Sequence, residues 1–378
     1  MLRPVVWMLA SALTVSGVYL LGWSVGERIA RPDAPTTSQT TATCRTPAPT
    51  SADDLNAILE GLDDEPLLLG ADHGDSVLLA DGRRFFAFGD TVRDPEVTDE
   101  VWADNSVMVL DEGCIEAMAP RGGGSAIPPR DGRVGYWPMS MRAVPDTAGT
   151  RVEMLATRVV RTSGEEFHHL GPAHVTFEVP AGGEPRTTGV RDLGPDRLDT
   201  TFPTWGAALW AHDDHIYVFG TASNAARSTF GWSLHVARTA PGTLADITTW
   251  EYWDGTTWVS RQPRAAAALS PAEGGVSHAL SVFTRDGSWY AVSKEGDFHG
   301  DTLAVWKAPA ATGPWTKHAI APLLTDDLIR RYSPQAHPDF PTASGRLLVS
   351  FSQGPWDERY FESHPDLYRP AFIEIDLP

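Results

Sequence analysis

Short apolar strands recur along this chain in hairpin-linked groups, and that recurrence limits the possible folds more than any other feature. The first group is a hairpin over 70–91 about Asp81-Gly82, followed by a strand at 105–110. The second holds strands at 136–141, 151–160 and 174–179, and the third at 205–210, 215–220 and 232–237 with Asp213-Asp214 as a turn. The fourth runs over 278–283, 288–293 and 302–306 with Asp286-Gly287 as a turn, and the fifth over 337–340, 346–351 and 370–375. Asp-Gly pairs suit hairpins because both residues tolerate the positive φ of a twist-compatible turn. Five such groups at a period of about 50–70 residues predict an all-β, five-bladed β-propeller, each group forming one blade. A two-sheet sandwich is the competing all-β arrangement, and the regular triplets disfavour it.

Composition agrees with a turn-rich β protein: the 378 residues include 34 Gly, 30 Pro and 14 Trp. The formal charge is −19, from 30 basic and 49 acidic residues, so the basic footprint of a nucleic-acid binder is missing. No Gly-x-Ser-x-Gly elbow, phosphate-binding loop or Cys-His signature occurs, which argues against serine hydrolase, kinase and nucleotide-dependent chemistry. Gly122-Gly123-Gly124 precedes no helix and reads as a loop.

Ahead of the repeats, residues 1–31 carry an apolar run after Met1-Leu2-Arg3 and predict a signal anchor or a cleaved signal peptide, with Ser24-Val25-Gly26 as a cleavage site. Either way the bulk of the chain is expected outside the cytoplasm, anchored facing outward or secreted. Residues 32–52 are rich in Thr, Pro and Ala, bury little and read as a tether. The globular domain then spans 53–378. Cys44 and Cys114 are candidates for one disulfide in an oxidising compartment, although spacing alone does not show that they meet. With no heptad and no interface stripe, a monomer is expected.

The 70–91 hairpin gathers the residues of greatest chemical interest. Asp72 and Asp75 enter its first strand and Asp90 leaves its second, so the hairpin returns three carboxylates to one end. A glycosidase cleaves with a pair of carboxyl groups, so a gathered pair suits that chemistry. With Asp81 and Gly82 as the two turn residues, Asp90 faces His73 and Asp72 faces Thr91. The two carboxylates then point to opposite faces unless a bulge intervenes. Asp is also common where strands begin and turns start, which is the plainer reading.

Inner strands line a propeller's channel, which places Asp72, Asp75, Trp137, Met139, Met141, Trp205, Ser277, His278 and His337 near the axis. Indoles beside carboxylates suit a sugar site, while Trp137 and Trp205 are equally suited to the core between blades. Arg142 could position hydroxyls or a carboxylate. Asp75 and Asp104 could raise an acid's pKa by like charge. The histidines, among them His168-His169, His212, His215, His278 and His337, lack metal-ligand spacing. Calcium takes oxygen ligands and no calcium-loop pattern occurs, so a structural calcium has no motif behind it and no cofactor is expected.

The stretches Gly70-Ala71-Asp72-His73-Gly74, Phe88-Gly89-Asp90-Thr91, Trp102-Ala103-Asp104-Asn105-Ser106-Val107, the run 136–142 and the run 251–258 together resemble the domain-of-unknown-function family 4185. The likeness covers most of the globular part and is most specific in the first blade. That family is similar to five-bladed propeller glycosidases, some of them in glycoside hydrolase family 183, which cleave D-arabinan in endo fashion. The resemblance implies that paired aspartates of the first blade carry the chemistry, here Asp72 and Asp90, on a polysaccharide of the cell envelope. The chain departs from the family pattern at His73 and Asp75, where apolar residues are expected. A non-catalytic propeller binding an envelope glycan or a protein partner is the alternative.

Overall fold

The computed structural model describes residues 38–44, 47–120, 123–162, 167–223, 231–262, 266–271, 274–297, 300–323, 328–357 and 360–378. The segment 1–31, expected as an anchor or signal, lies outside them. Among the described residues no helix is long and apolar enough to cross a membrane.

The chain folds as an all-β, five-bladed β-propeller. The first blade contains β1 (Ser38–Cys44), β2 (Gly70–Leu78), β3 (Arg84–Val92), β4 (Trp102–Ala103), β5 (Ser106–Asp111) and β6 (Cys114–Pro120), ordered β1-β6-β5-β3-β2 with β4 on β3. The second contains β7 (Val134–Asp146), β8 (Gly149–Arg161), β9 (Phe167–Pro180) and β10 (Arg186–Asp192). The third contains β11 (Thr204–His212), β12 (His215–Ala222), β13 (Ser233–Thr239), β14 (Glu251–Trp253) and β15 (Trp258–Val259). The fourth contains β16 (Ser281–Arg285), β17 (Ser288–Glu295), β18 (Thr302–Ala308) and β19 (Thr316–Pro322). The fifth contains β20 (Ile329–His337), β21 (Leu347–Pro355) and β22 (Ala371–Ile375).

The inner strands β2, β7, β11, β16 and β20 each touch the next around the ring, and β20 returns to β2. Between blades lie apolar layers drawn from facing sheets, such as Phe85, Val109, Val152, Val175 and Phe177 between the first and second. Burying a large apolar side chain contributes about 1.5–3 kcal/mol, so these layers hold the ring together.

Ring closure uses the segment before the hairpin. Helix α1 (Ala52–Glu60) is capped by Ser51, whose side chain accepts from Asp54 N–H, and buries Leu55, Ile58 and Leu59. These pack with Phe86 and Phe88 of the first blade and with Phe340, Leu348 and Phe372 of the fifth. Asn56 locks the helix to β22 through two bonds with the Phe372 backbone, 3.0 and 2.8 Å.

Two expectations change here. Part of the segment read as a tether is folded, because β1 pairs in register with β6 from Ser38↔Pro120 to Cys44↔Cys114. Cys44 and Cys114 end that ladder as a disulfide. Strand propensity in its Thr residues, satisfied by a free sheet edge, outweighs the low apolar content. The inner strand of the fifth blade is 329–337 and not 337–340, for Pro338 follows it and Phe340 belongs to the closure core.

Candidate functional site

Two compensating irregularities build the site in the β2–β3 hairpin. Pairing at the closed end runs Leu78↔Arg84 to Asp75↔Ala87, one residue away from the register that an Asp81-Gly82 two-residue turn would set. Leu79 N–H bonds to Arg83 O at 2.8 Å, so the loop holds three residues. A bulge then falls at His73-Gly74, where φ is +68° and +87°, and a second irregularity separates His73↔Phe88 from Ala71↔Thr91. The backbone there no longer alternates, and Asp72 and Asp90 come to one side. The Asp72 carboxylate lies over the backbone of Gly89, where any Cβ would collide with Oδ1.

Each aspartate is held by its own set of donors. Tyr332, from β20, donates its hydroxyl to Asp72 Oδ2 at 2.8 Å, and Tyr368 hydrogen-bonds the same carboxylate. Asp90 accepts from Arg161 Nη2 at 2.6 Å on both oxygens and from Trp137 Nε1 at 2.9 Å on Oδ1. Asp104 stands beside Arg161, with Nε 3.7 Å from Oδ1. Burial pushes Asp90 up to about 7, Asp72 and Asp104 add to the rise, and Arg161 opposes it. Burial and the Asp72 charge likewise hold the hydroxyls of Tyr332 and Tyr368 protonated far above the usual phenol range.

Around the pair stand aromatic and imidazole rings from three other blades. Trp137 packs edge-on against Phe167 at 4.7 Å and lies 5.8 Å from His169. His169 lies tilted against His278 at 4.3 Å, and His278 lies 5.0 Å from Trp232. Asp297 fixes that corner by accepting from Trp232 Nε1 at 2.5 Å and from His278 N–H at 3.3 Å. Burial keeps His73, His169 and His278 neutral, with His169 lowered to about 4. His73 is anchored by Met139 O at 3.1 Å through Nε2. Among the described residues no group of three or more His, Cys, Asp or Glu side chains could hold a metal ion.

The structure thus gathers Asp72, Asp90, Asp104, Trp137 and His278 of the predicted residues at the end of the channel where the inner strands begin. Four others lie elsewhere. Asp75, one bulge further along β2, is bonded by the Ser76 and Met141 backbones and feels Asp339 and Arg84, not Asp90. Arg142 pairs with Glu153 at 3.6 Å. Trp205 is core, 4% exposed and packed on Trp250 and Tyr252. His337 is a satisfied buried histidine, with Nδ1 bonded to Ser76 and Nε2 to Ser350 at 2.7 and 2.9 Å. Sequence reading missed Arg161, Tyr332, Tyr368, Trp232 and Asp297. Arg161 sits at the very end of β8, and only the pairing Val134↔Val160 carries it to the mouth.

The family profile of DUF5005, a domain of unknown function, matches residues 65–376. No curated protein matches the sequence. Among solved structures, a Bacteroides ovatus protein provisionally described as a hydrolase is 17% identical, with TM-score 0.63, covering 96% of this chain and 97% of that one. That likeness is one of fold. A GH43 β-xylosidase/α-arabinofuranosidase from a compost microbial metagenome, solved with xylotriose, is 11% identical at TM-score 0.45, covering 81% and 91%. A GH43 endo-arabinanase from Bacillus licheniformis is 12% identical at TM-score 0.44, covering 80% and 92%. The motifs that resemble family 4185 therefore lie in a chain whose matching profile is that of DUF5005.

Proposed function

The chain belongs to the DUF5005 family, and from its channel mouth we propose that it is a glycoside hydrolase acting on a furanose-containing polysaccharide. The carrying observation is the pair Asp72 and Asp90, brought to one side and held by different donors. Glycosidic cleavage needs one carboxyl group that still carries a proton and a second that is ionised. Asp90, raised to about 7, is the proton donor. Its proton passes to the glycosidic oxygen as the bond to the anomeric carbon breaks. Arg161 and Trp137 already donate to Asp90, so they stabilise the carboxylate that donation leaves behind. Asp72, oriented by Tyr332 and Tyr368, attacks the anomeric carbon or takes a proton from the attacking water. Trp137, Phe167 and Trp232 offer apolar faces to sugar rings.

The substrate class follows from the motifs of the first blade, whose resemblance implies endo cleavage of D-arabinan in a cell envelope. The apolar run of residues 1–31 supports an exported location for such an enzyme. The test incubates the chain with purified arabinogalactan beside Asp72→Asn and Asp90→Asn, reading released oligosaccharides by chromatography. Products from the parent and from neither variant are expected. Retained polymer binding without products from any of the three proteins would replace hydrolysis by a glycan-binding role.

A further inference from the structure

The catalytic pair stands on the first blade, while the third and fourth blades meet at a corner of the mouth that carries neither carboxylate of the pair. Trp232, immediately before β13, exchanges two backbone hydrogen bonds with Val276 at 2.9 and 3.0 Å, which brings the lead-in to β16 onto the third blade. Ser277, next in that lead-in, is fixed to β17 by its N–H on Ser293 Oγ at 2.8 Å. Asp297, two residues past the end of β17, joins the segments. Its Oδ2 accepts from Trp232 Nε1 at 2.5 Å and its Oδ1 from His278 N–H at 3.3 Å.

The backbone at Asp297 is left-handed, with φ at +58°. Glycine would adopt that conformation without strain, so the position retains a side chain at some conformational cost. What the carboxylate holds is a pair of rings. The half-buried indole of Trp232 is tied by its N–H, and the His278 ring lies 5.0 Å from it and 4.3 Å from His169. His169 adjoins Trp137, whose own indole N–H is held by Asp90. Both indoles of this row are therefore set by an aspartate, and with their edge donors taken they present apolar faces. Only Asp90 stands beside Asp72. Asp297 feels Lys294 instead, whose ammonium donates to Arg331 O at 2.6 Å. Balancing that buried charge is the plainer role for Asp297.

We propose that Asp297 is a positioning residue for glycan binding: through Trp232 and His278 it sets the part of the mouth that grips the substrate chain. This rests on the glycoside hydrolase reading and divides its labour. The first blade acts on the bond, and the corner of the third and fourth blades sets affinity.

The test compares the full chain with Asp297→Asn, Trp232→Phe and the double variant, each first shown to melt cooperatively. Purified arabinogalactan serves for kcat and KM, and for binding by affinity electrophoresis. Asparagine tolerates the left-handed φ, but its amide offers oxygen to only one of the two donors and turns N–H toward the other. Phenylalanine keeps a ring and removes the indole donor. Each single change is expected to raise KM and weaken polymer binding about tenfold, with kcat within about twofold of the parent. In the double variant the amide oxygen is released to serve His278, so the loss should be no larger than in Trp232→Phe alone. A fall in kcat at unchanged KM, or additive losses, would overturn the proposal. So would a lower melting temperature with KM and binding unchanged, which would leave Asp297 as the counter-charge of Lys294. A parent that binds the polymer without turnover sinks the hydrolase reading alone. Weaker binding by both single variants would then still support the proposal, and equal binding would overturn it. A parent that does not bind the polymer overturns it whatever the turnover.

Discussion

The Asp72 carboxylate occupies the space that a side chain at position 89 would fill, so the placement of Asp72 beside Asp90 depends on Gly89 having none. Position 89 does not need glycine for backbone reasons, because its φ is not in the left-handed region. The constraint is purely steric.

Gly89→Ala therefore isolates the placement of Asp72 from its chemistry. Both aspartates and all their donors remain, yet the carboxylate must move away from the new methyl group. Misplacement of a reacting group by about 1 Å can cost on the order of 100-fold, and a fall of that size in kcat/KM on arabinan is expected. Cooperative melting should persist. Full activity in the alanine variant would show that Asp72 does not work where it stands.

Activity should fall as pH rises through about 7, as Asp90 loses the proton it donates. Arg161 opposes the raised value, so Arg161→Met should move the alkaline limb to higher pH while lowering the maximal rate, because the carboxylate left by donation loses its cation. A pH–rate profile of kcat/KM on the two proteins decides this. An alkaline limb that stays in place would mean that Asp90 does not report there.

What sequence made legible was the architecture. Strand triplets punctuated by Asp-Gly and Asp-Asp turns are local signals, and each sheet apart from the added β1 is a local meander, so the five blades follow from neighbouring residues. The hairpin argument brought Asp72 and Asp90 to one end for the right reason and with a register one residue off. A three-residue loop and two cancelling irregularities cannot be read from Asp-Gly alone. The rest of the site is long-range. Tyr332 meets Asp72 across 260 positions by ring closure and Arg161 meets Asp90 across 71 by the packing of the second blade on the first, contacts that leave no local trace. Trp205 and His337 illustrate the converse. Both sit on inner strands as expected, yet one packs between blades and the other is bonded on both ring nitrogens.

Stability should carry a pH signature of its own. Burial raises Glu65 from 4.5 to about 7, and Asp75 and Asp90 also rise to about 7. A raised carboxyl binds more protons folded than unfolded between its two pKa values. The stability this confers is fully present below the unfolded value and is lost as pH climbs toward the folded value. Unfolding free energy should thus decline from about pH 4.5 to 7. Glu65→Gln removes one contributor, reducing the slope by at most about 1.4 kcal/mol per pH unit. Denaturant melts at several pH values test this, and an unchanged slope would mean that Glu65 titrates normally.

The Cys44–Cys114 bridge makes the last prediction. It closes a loop across 70 positions and ties β1 to the outer edge of the first blade. That strand lies at the opposite side of its sheet from β2, away from Asp72 and Asp90. Breaking the bridge should relax the unfolded chain far more than the mouth. The double variant Cys44→Ser, Cys114→Ser is expected to lose about 2–5 kcal/mol of stability while retaining kcat/KM at temperatures where it stays folded. Comparing denaturant melts with and without reductant, alongside activity, separates the two effects. Because Thr43 of β1 also donates toward Glu65 at 3.4 Å, reduction should flatten the response of stability to pH if the strand detaches and leaves Glu65 hydrated, since burial is what raises its carboxyl. Equal stability of the oxidised and double-serine proteins would mean that the β1–β6 ladder holds the strand without the covalent link.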